Sequence, residues 1–406
     1  MSEKNNKYTP NLRFPEFTGE WKEKTLGEVG YFVRGLSYNK SDVTEDASST
    51  LVIRSNNIIQ DSAVDCINGL QYVTKTPSEE QQLEKGDIVI CLANGSSNLV
   101  GKTSSFDGNY TGVVTVGAFC GIFRSSLPIC KYLVQTSAYK NKINLIKQGG
   151  NGALANLYGK DILGFSFFIP TAPEEQQKIA SCLSAMDDLI AAQAEKVEVL
   201  KEKKTGLMQQ LFPQSGETTP RLRFPEFTGE WEEKKVKEIF EITRGQVLPA
   251  AKTKPEVDGL YKYPVYSSQT MRNGLMGYYN EALFNNAITW TTDGANAGTV
   301  RYRKGDFYCT NVCGVLLSKD GYANECIAEL LNIICKSHVS FVGNPKLMNN
   351  VMAEIVIPIP SLQEQQKIAS CLSALDDQIA AETEKLTALK DYKKGLMQQL
   401  FPQPAK

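Results

Sequence analysis

The side chains best suited to chemistry in this chain are amides, hydroxyls and guanidiniums gathered at short spacing. One set is Asn94, Ser96, Ser97 and Asn98 ahead of Lys102. The other is Ser267, Ser268 and Gln269, then Arg272 and Asn273, then Asn296, Arg301 and Arg303. In a DNA major groove an amide matches adenine and a guanidinium matches guanine, each through two hydrogen bonds. An Arg-Gly pair precedes each set, Arg34-Gly35 and Arg244-Gly245, at an offset of 210. A guanidinium there is suited to phosphate or to the O6 and N7 of guanine. Solvated turns use the same residues, so spacing alone selects no single base contact.

Catalytic patterns fare worse. Gly95 to Thr103 imitates a phosphate loop, but that loop needs four residues between its glycines, and the position required for the first glycine holds Ser96. The run 150–155, GNGALA, fits a loose dinucleotide pattern, yet it closes a module and its counterpart near Gly343-Asn344-Pro345 lacks that pattern, so it reads as a loop. Cys309 and Cys313 have metal-like spacing, but the sole histidine, His338, has no companion at ligand spacing. No Asn-Pro-Pro or Asp-Pro-Pro run and no Pro-Asp pair occurs. The expectation is a chain with no catalysis, no metal and no cofactor of its own, its ten cysteines reduced in a cytoplasmic setting. No stretch approaches the length of a membrane span or an export signal.

Charge neither demands nor forbids a nucleic-acid partner. The net charge is −1. Residues 22–168 carry 14 Lys and Arg against 13 Asp and Glu, and residues 232–358 carry the same numbers. A basic surface must therefore come from clustering in space.

The elements that must position these side chains are repeated. LRFPEFTGEW at 12–21 recurs at 222–231, and 175–214 recurs at 364–403 with only ten differences. Between these copies, 22–168 and 232–358 scarcely align. Short β-rich runs at 87–92, 112–123, 287–292 and 306–318, separated by Gly, Asn and Ser turns, predict mixed α/β modules. The repeated tail predicts a long helix with a heptad seam. In the first copy the seam is Ile179, Leu183, Met186, Ile190, Val197, Leu200, Leu207 and Leu211; in the second it is Ile368, Leu372, Leu375, Ile379, Leu386, Leu389, Leu396 and Leu400. Polar residues interrupt it at Gln193 and Lys204, and at Glu382 and Lys393. In an antiparallel pair Gln193 and Glu382 meet near the middle.

The expected fold is α+β: two mixed α/β domains joined by two long helices in an antiparallel coiled coil with pseudo-two-fold symmetry. The first domain spans 1–170, the central helix 171–214, the second domain 215–360 and the distal helix 361–406. Near-identity of the helices at outward positions such as Asp187-Asp188 and Gln209-Gln210 suggests equivalent partners on both copies.

The helix runs PEEQQKIASCLSAMDDLI and QEQQKIASCLSALDDQI, each ending in GLMQQLFP, resemble those of type I restriction-modification specificity subunits. KYPVYSSQTMRNGLMGYY and GANAGTVRYRKGDFYCTNVCGVL resemble their target-recognition domains. The resemblance covers nearly the whole chain. It implies a non-catalytic subunit binding double-stranded DNA, each domain reading one half of a split, asymmetric target. It further implies two modification subunits that use S-adenosylmethionine to methylate adenine, and restriction subunits that use ATP and magnesium. A sugar-binding tandem, an overlooked enzyme and a pure assembly scaffold are the competing classes.

Overall fold

The computed structural model describes residues 9–149, 156–214, 217–268 and 271–402. The chain divides into two compact units, one made of 1–193 with 385–406 and the other of 194–384. Each unit holds one divergent module and part of each of two 39-residue helices, Pro173–Leu211 (the central helix) and Leu362–Leu400 (the distal helix).

The repeated segments explain one another. Proline opens the central helix, where a missing N–H costs nothing, and Glu174 and Glu175 face its positive end. Gln176 and Gln365 each donate a side-chain amide to the proline carbonyl at or just after the end of the preceding strand, of Pro170 and Pro360, both at 2.8 Å. Arg13 forks onto the buried Glu175 with both bonds at 2.7 Å, and Trp21 Nε1 donates to the same carboxylate at 3.2 Å. In the second unit Arg223 forks onto Glu364 at 2.8 Å. The neighbouring backbone holds the other helix: Leu12 N–H donates to Gln399 O at 3.0 Å, and Leu222 N–H to Gln210 O at 2.9 Å. The LRF run therefore ties the start of one helix to the end of the other within each unit. That fixes the two helices antiparallel, as expected.

Packing follows the seam. Ile179, Leu183, Val197, Leu200 and Leu211 are buried, as are Ile368, Leu372, Leu375 and Leu400. Met186, Ile190, Leu207, Ile379, Leu386, Leu389 and Leu396 are half-buried. In the first unit Ile179 and Leu183 share a core with Met397, Leu400 and Phe401, and Trp21 meets Phe401 edge to face at 6.4 Å. In the second, Leu211 and Phe212 share a core with Ile368 and Leu372, and Phe212 meets Trp231 at 6.4 Å. The seam lysines make ion pairs: Lys204 with Asp376 at 2.7 Å in one unit and Lys393 with Asp187 at 2.5 Å in the other. Glu382 takes Lys196 at 2.5 Å.

The modules share a sheet despite their divergent sequences. In the first, antiparallel strands Tyr31–Arg34, Cys120–Arg124, Ile88–Cys91 and Thr103–Ser105 lie in that order. In the second, Glu241–Arg244, Cys313–Leu317, Phe284–Thr291 and Val300–Cys309 do the same. A strand joins each module by parallel pairing, Thr50–Ile53 on Val114–Val116 and Tyr263–Tyr266 on Val300–Cys309. A two-stranded ribbon, Trp21–Thr25 with Ser166–Pro170 and Glu232–Lys235 with Val356–Ile359, closes each module beside its helix. The β-rich runs at 112–123 and 306–318 each contain a tight turn that the β-forming residues mask. Cys120 N–H donates to Gly117 O at 2.8 Å, and Cys313 N–H to Thr310 O at 3.0 Å. One glycine per sheet makes room for an aromatic ring: a Cβ on Gly121 would lie 2.0 Å from Phe32, and one on Gly314 would lie 2.2 Å from Trp290.

Candidate nucleic-acid interface

The predicted polar residues gather at one end of each sheet because three connections leave there. The first follows the strand ending in Arg34 or Arg244, which pair with Gly121 and Gly314. Both arginines are exposed while Gly35 and Gly245 are buried. A Cβ would stand 2.2 Å from Gly117 O or from Cys309 O. The glycines are therefore fixed by close backbone approach, which no other residue could make here.

The second connection leaves the central strand at Cys91 or Thr291. It returns through Gly101 or Gly298, whose N–H groups donate to the Cys91 and Thr291 carbonyls at 2.8 and 2.9 Å. Both glycines are left-handed, with φ of 83° and 80°. Equivalent amides brace these loops: Asn94 Nδ2 donates to Ser55 Oγ at 2.8 Å, and Asn296 Nδ2 to Ser268 O at 3.0 Å. Asn94 also accepts the Ser96 N–H at 2.9 Å. Both amides are thus engaged in holding the loop. Ser96, Ser97 and Asn98 are exposed on it, and Lys102 is half-buried just beyond. The 3-10 turn Ser97–Leu99 leads into the strand Thr103–Ser105 rather than a helix, which removes the phosphate-loop geometry. Residues 150–155 of the GNGALA run and Gln269 lie outside the described residues.

The third connection follows the parallel strand. In the second module it brings Ser267 and Ser268 to a shallow concavity shared with Asn273, Asn296, Arg301 and Arg303. Sequence spacing did not require these six residues to meet; the register of Phe284–Thr291 against Val300–Cys309 does it. Arg301 is half-buried on the wall, and Arg272 is exposed on the adjoining turn. Arg303, expected among the DNA-binding residues, is only 8% exposed and makes its contacts inside the module. Burial pulls its pKa down to about 10. Cys309 and Cys313 are buried, and the Cys313 thiol donates to Tyr266 O at 4.0 Å.

Several residues were missed. Arg54 and Ser55 occupy in the first module the places of Ser267 and Ser268, as the pairing of Ile53 with Val116 and of Tyr266 with Cys309 shows. The signal was available as a polar run directly after a β-forming one, LVI-RSN beside PVY-SSQ. Phe119, 71% exposed, accepts backbone bonds from Leu92 and Ala93 at the root of the Asn94 loop. Phe341 and Val342 are 74% and 91% exposed in the hairpin that pairs Lys346 with Asp293, at the corresponding rim of the second module. A lone aromatic in a polar loop carries no distinctive spacing.

Comparison with known proteins places the chain in a family. The family described as type I restriction modification DNA specificity domain matches residues 18–202 and 228–391. A putative type I specificity subunit N-terminus from Mycoplasma pneumoniae is 39% identical over 141 residues, which cover 34% of this chain and 74% of that protein. The MpnII type I restriction enzyme specificity subunit of the same organism is 38% identical over 144 residues, 35% of this chain and 42% of its own length. Among solved structures, the type I restriction-modification S subunit from M. genitalium superposes with a TM-score of 0.63 at 17% identity, covering 98% of this chain and all (100%) of that one.

Proposed function

Because this chain belongs to the type I restriction modification DNA specificity family, we propose that it is the DNA-reading subunit of such a complex, each module recognising one half of a split, asymmetric target. The single observation that carries this is the equivalence of the two polar sheet ends: one scaffold, two different side-chain sets. An interface read this way needs a fixed frame and variable base contacts. In this reading Arg34, Arg244, Arg272 and Arg301 take phosphate or guanine, and Ser96, Ser97, Asn98 and Ser268 take base edges or backbone oxygens.

The chain itself supplies recognition. Two modification subunits dock on the equivalent helix faces and methylate adenine in each half-site, the target base leaving the stack to reach their active site. S-adenosylmethionine belongs to those subunits, and ATP and magnesium to restriction subunits that complete the assembly. Helix length sets the gap between half-sites. No described helix is long and apolar enough to cross a membrane, and the proposed setting is the cytoplasm, where the DNA is.

The test is single-molecule sequencing for N6-methyladenine in cells carrying the modification subunits, with and without this chain. A new split motif methylated on both strands is expected. Exchanging 22–168 for another module should alter one half-site only; an unchanged methylome, with assembly verified, would refute the reading.

A further inference from the structure

We propose that Arg303 is the positioning residue of the second module's reading turn, setting which base Arg272 meets without itself touching DNA; this rests on the DNA-reading role proposed above. The turn Met271–Gly274 contains two successive left-handed non-glycine residues, Arg272 at φ 50° and Asn273 at φ 56°. Side chains rarely adopt this conformation without strain, so the turn persists only where its surroundings hold it. Arg303 supplies that hold. Its Nη1 donates to Asn273 O at 2.9 Å, its Nε donates to Thr289 Oγ1 at 3.0 Å, and its guanidinium lies 3.7 Å from the Tyr266 ring centroid.

The three contacts bind together the turn, the central strand Phe284–Thr291 and the strand Tyr263–Tyr266. A planar fork stacked on a ring can hold two acceptors at fixed angles, whereas an ammonium on a flexible stem cannot do both. Arg303→Lys therefore keeps the charge and loses the clamp. Arg272 stays exposed on a turn that now samples several conformations.

Two experiments on the full chain test this. In limited trypsin digestion, Arg303→Lys should raise the rate of cleavage after Arg272 at least about fivefold while leaving exposed sites of the first module unchanged; an unchanged rate overturns the inference whatever the chain binds. In the methylome assay with modification subunits, Arg272→Ala and Arg303→Lys should relax the same base of the same half-site, by at least about fivefold, the low end of what one good bidentate contact contributes. The double variant should go no further than Arg272→Ala.

Relaxation at a different base by Arg303→Lys would mean direct contact by Arg303 and would overturn positioning. So would loss of readout with Arg303→Lys when Arg272→Ala changes nothing. If Arg303→Lys does not accumulate folded, Thr289→Val removes one anchor at nearly constant shape and should give a smaller change in both assays; no change in either overturns the inference. A wild-type chain that directs no motif in an assembled complex removes the DNA-reading premise, a failure the digestion distinguishes.

Discussion

Asp187 and Asp376 occupy identical positions in the two helix copies, yet replacing each with asparagine should have unequal effects. Asp187 accepts Lys393 at 2.5 Å and the Tyr132 hydroxyl at 3.0 Å. The Lys393 side chain is 9% exposed, 5.5 Å from the Tyr132 ring, and among the described residues its other oxygen partner is Gln135 at 3.2 Å. Asp187→Asn leaves that ammonium buried without a carboxylate. Breaking a buried pair costs about 3–5 kcal/mol, and the 34% exposure of Asp187 reduces this to about 2 kcal/mol. In the other unit Asp376 is 41% exposed, Lys204 is 18% exposed, and Glu329 stands 3.7 Å from Lys204 ready to take over. Asp376→Asn should therefore cost about 1 kcal/mol or less. For units of this size the larger loss lowers Tm by roughly 4–8 °C and the smaller by about 2–4 °C. Urea unfolding and calorimetry of the full-length single variants measure this directly, and adding Lys393→Met to Asp187→Asn should recover part of the loss. Equal losses, or a larger one for Asp376→Asn, would show that helix position rather than module environment sets the energetics.

Gly35→Ala and Gly245→Ala should each destabilise by about 1–3 kcal/mol, since the new methyl meets a carbonyl at 2.2 Å. Arg34→Ala and Arg244→Ala should leave unfolding unchanged while weakening DNA binding and shallowing its salt dependence; circular dichroism melts and binding titrations at several salt concentrations separate the two classes. Iodoacetamide at mild alkaline pH should label the half-buried Cys182 and Cys371 first and Cys66 more slowly, since burial and nearby Asp107 raise its pKa. Cys130 and Cys335, buried and pushed up to about 11 and about 12, should label only on unfolding, and peptide mapping decides the order. Removing one heptad from each helix, 191–197 and 380–386, preserves seam phase and shortens each by about 10 Å. The gap in the methylated motif should fall by about three base pairs; an unaltered gap would separate helix length from spacing.

Sequence by itself determined the duplicated frame, because a heptad seam is set by residue type at fixed spacing and survives as a visible repeat, whereas the Arg-to-Glu clamp joins residues 162 and 141 positions apart and emerged only in the folded chain. It also determined the absence of a well-formed phosphate loop, since that motif depends on a local glycine position. Antiparallel helix order was an expectation until Leu12 met Gln399 and Leu222 met Gln210, contacts between segments far apart in the chain. The recognition surface was legible only as residue types. Whether Arg272 points outward while Arg303 turns inward depends on strand register, left-handed turns and a ring to stack on, and these arise only when Tyr266, Thr289 and Asn273 are brought together. The equivalence of Asn94 with Asn296 was hidden for the same reason: hydrogen-bond geometry at a sheet end constrains where a loop returns, through Gly101 and Gly298, but leaves nearly every side chain between them free to differ.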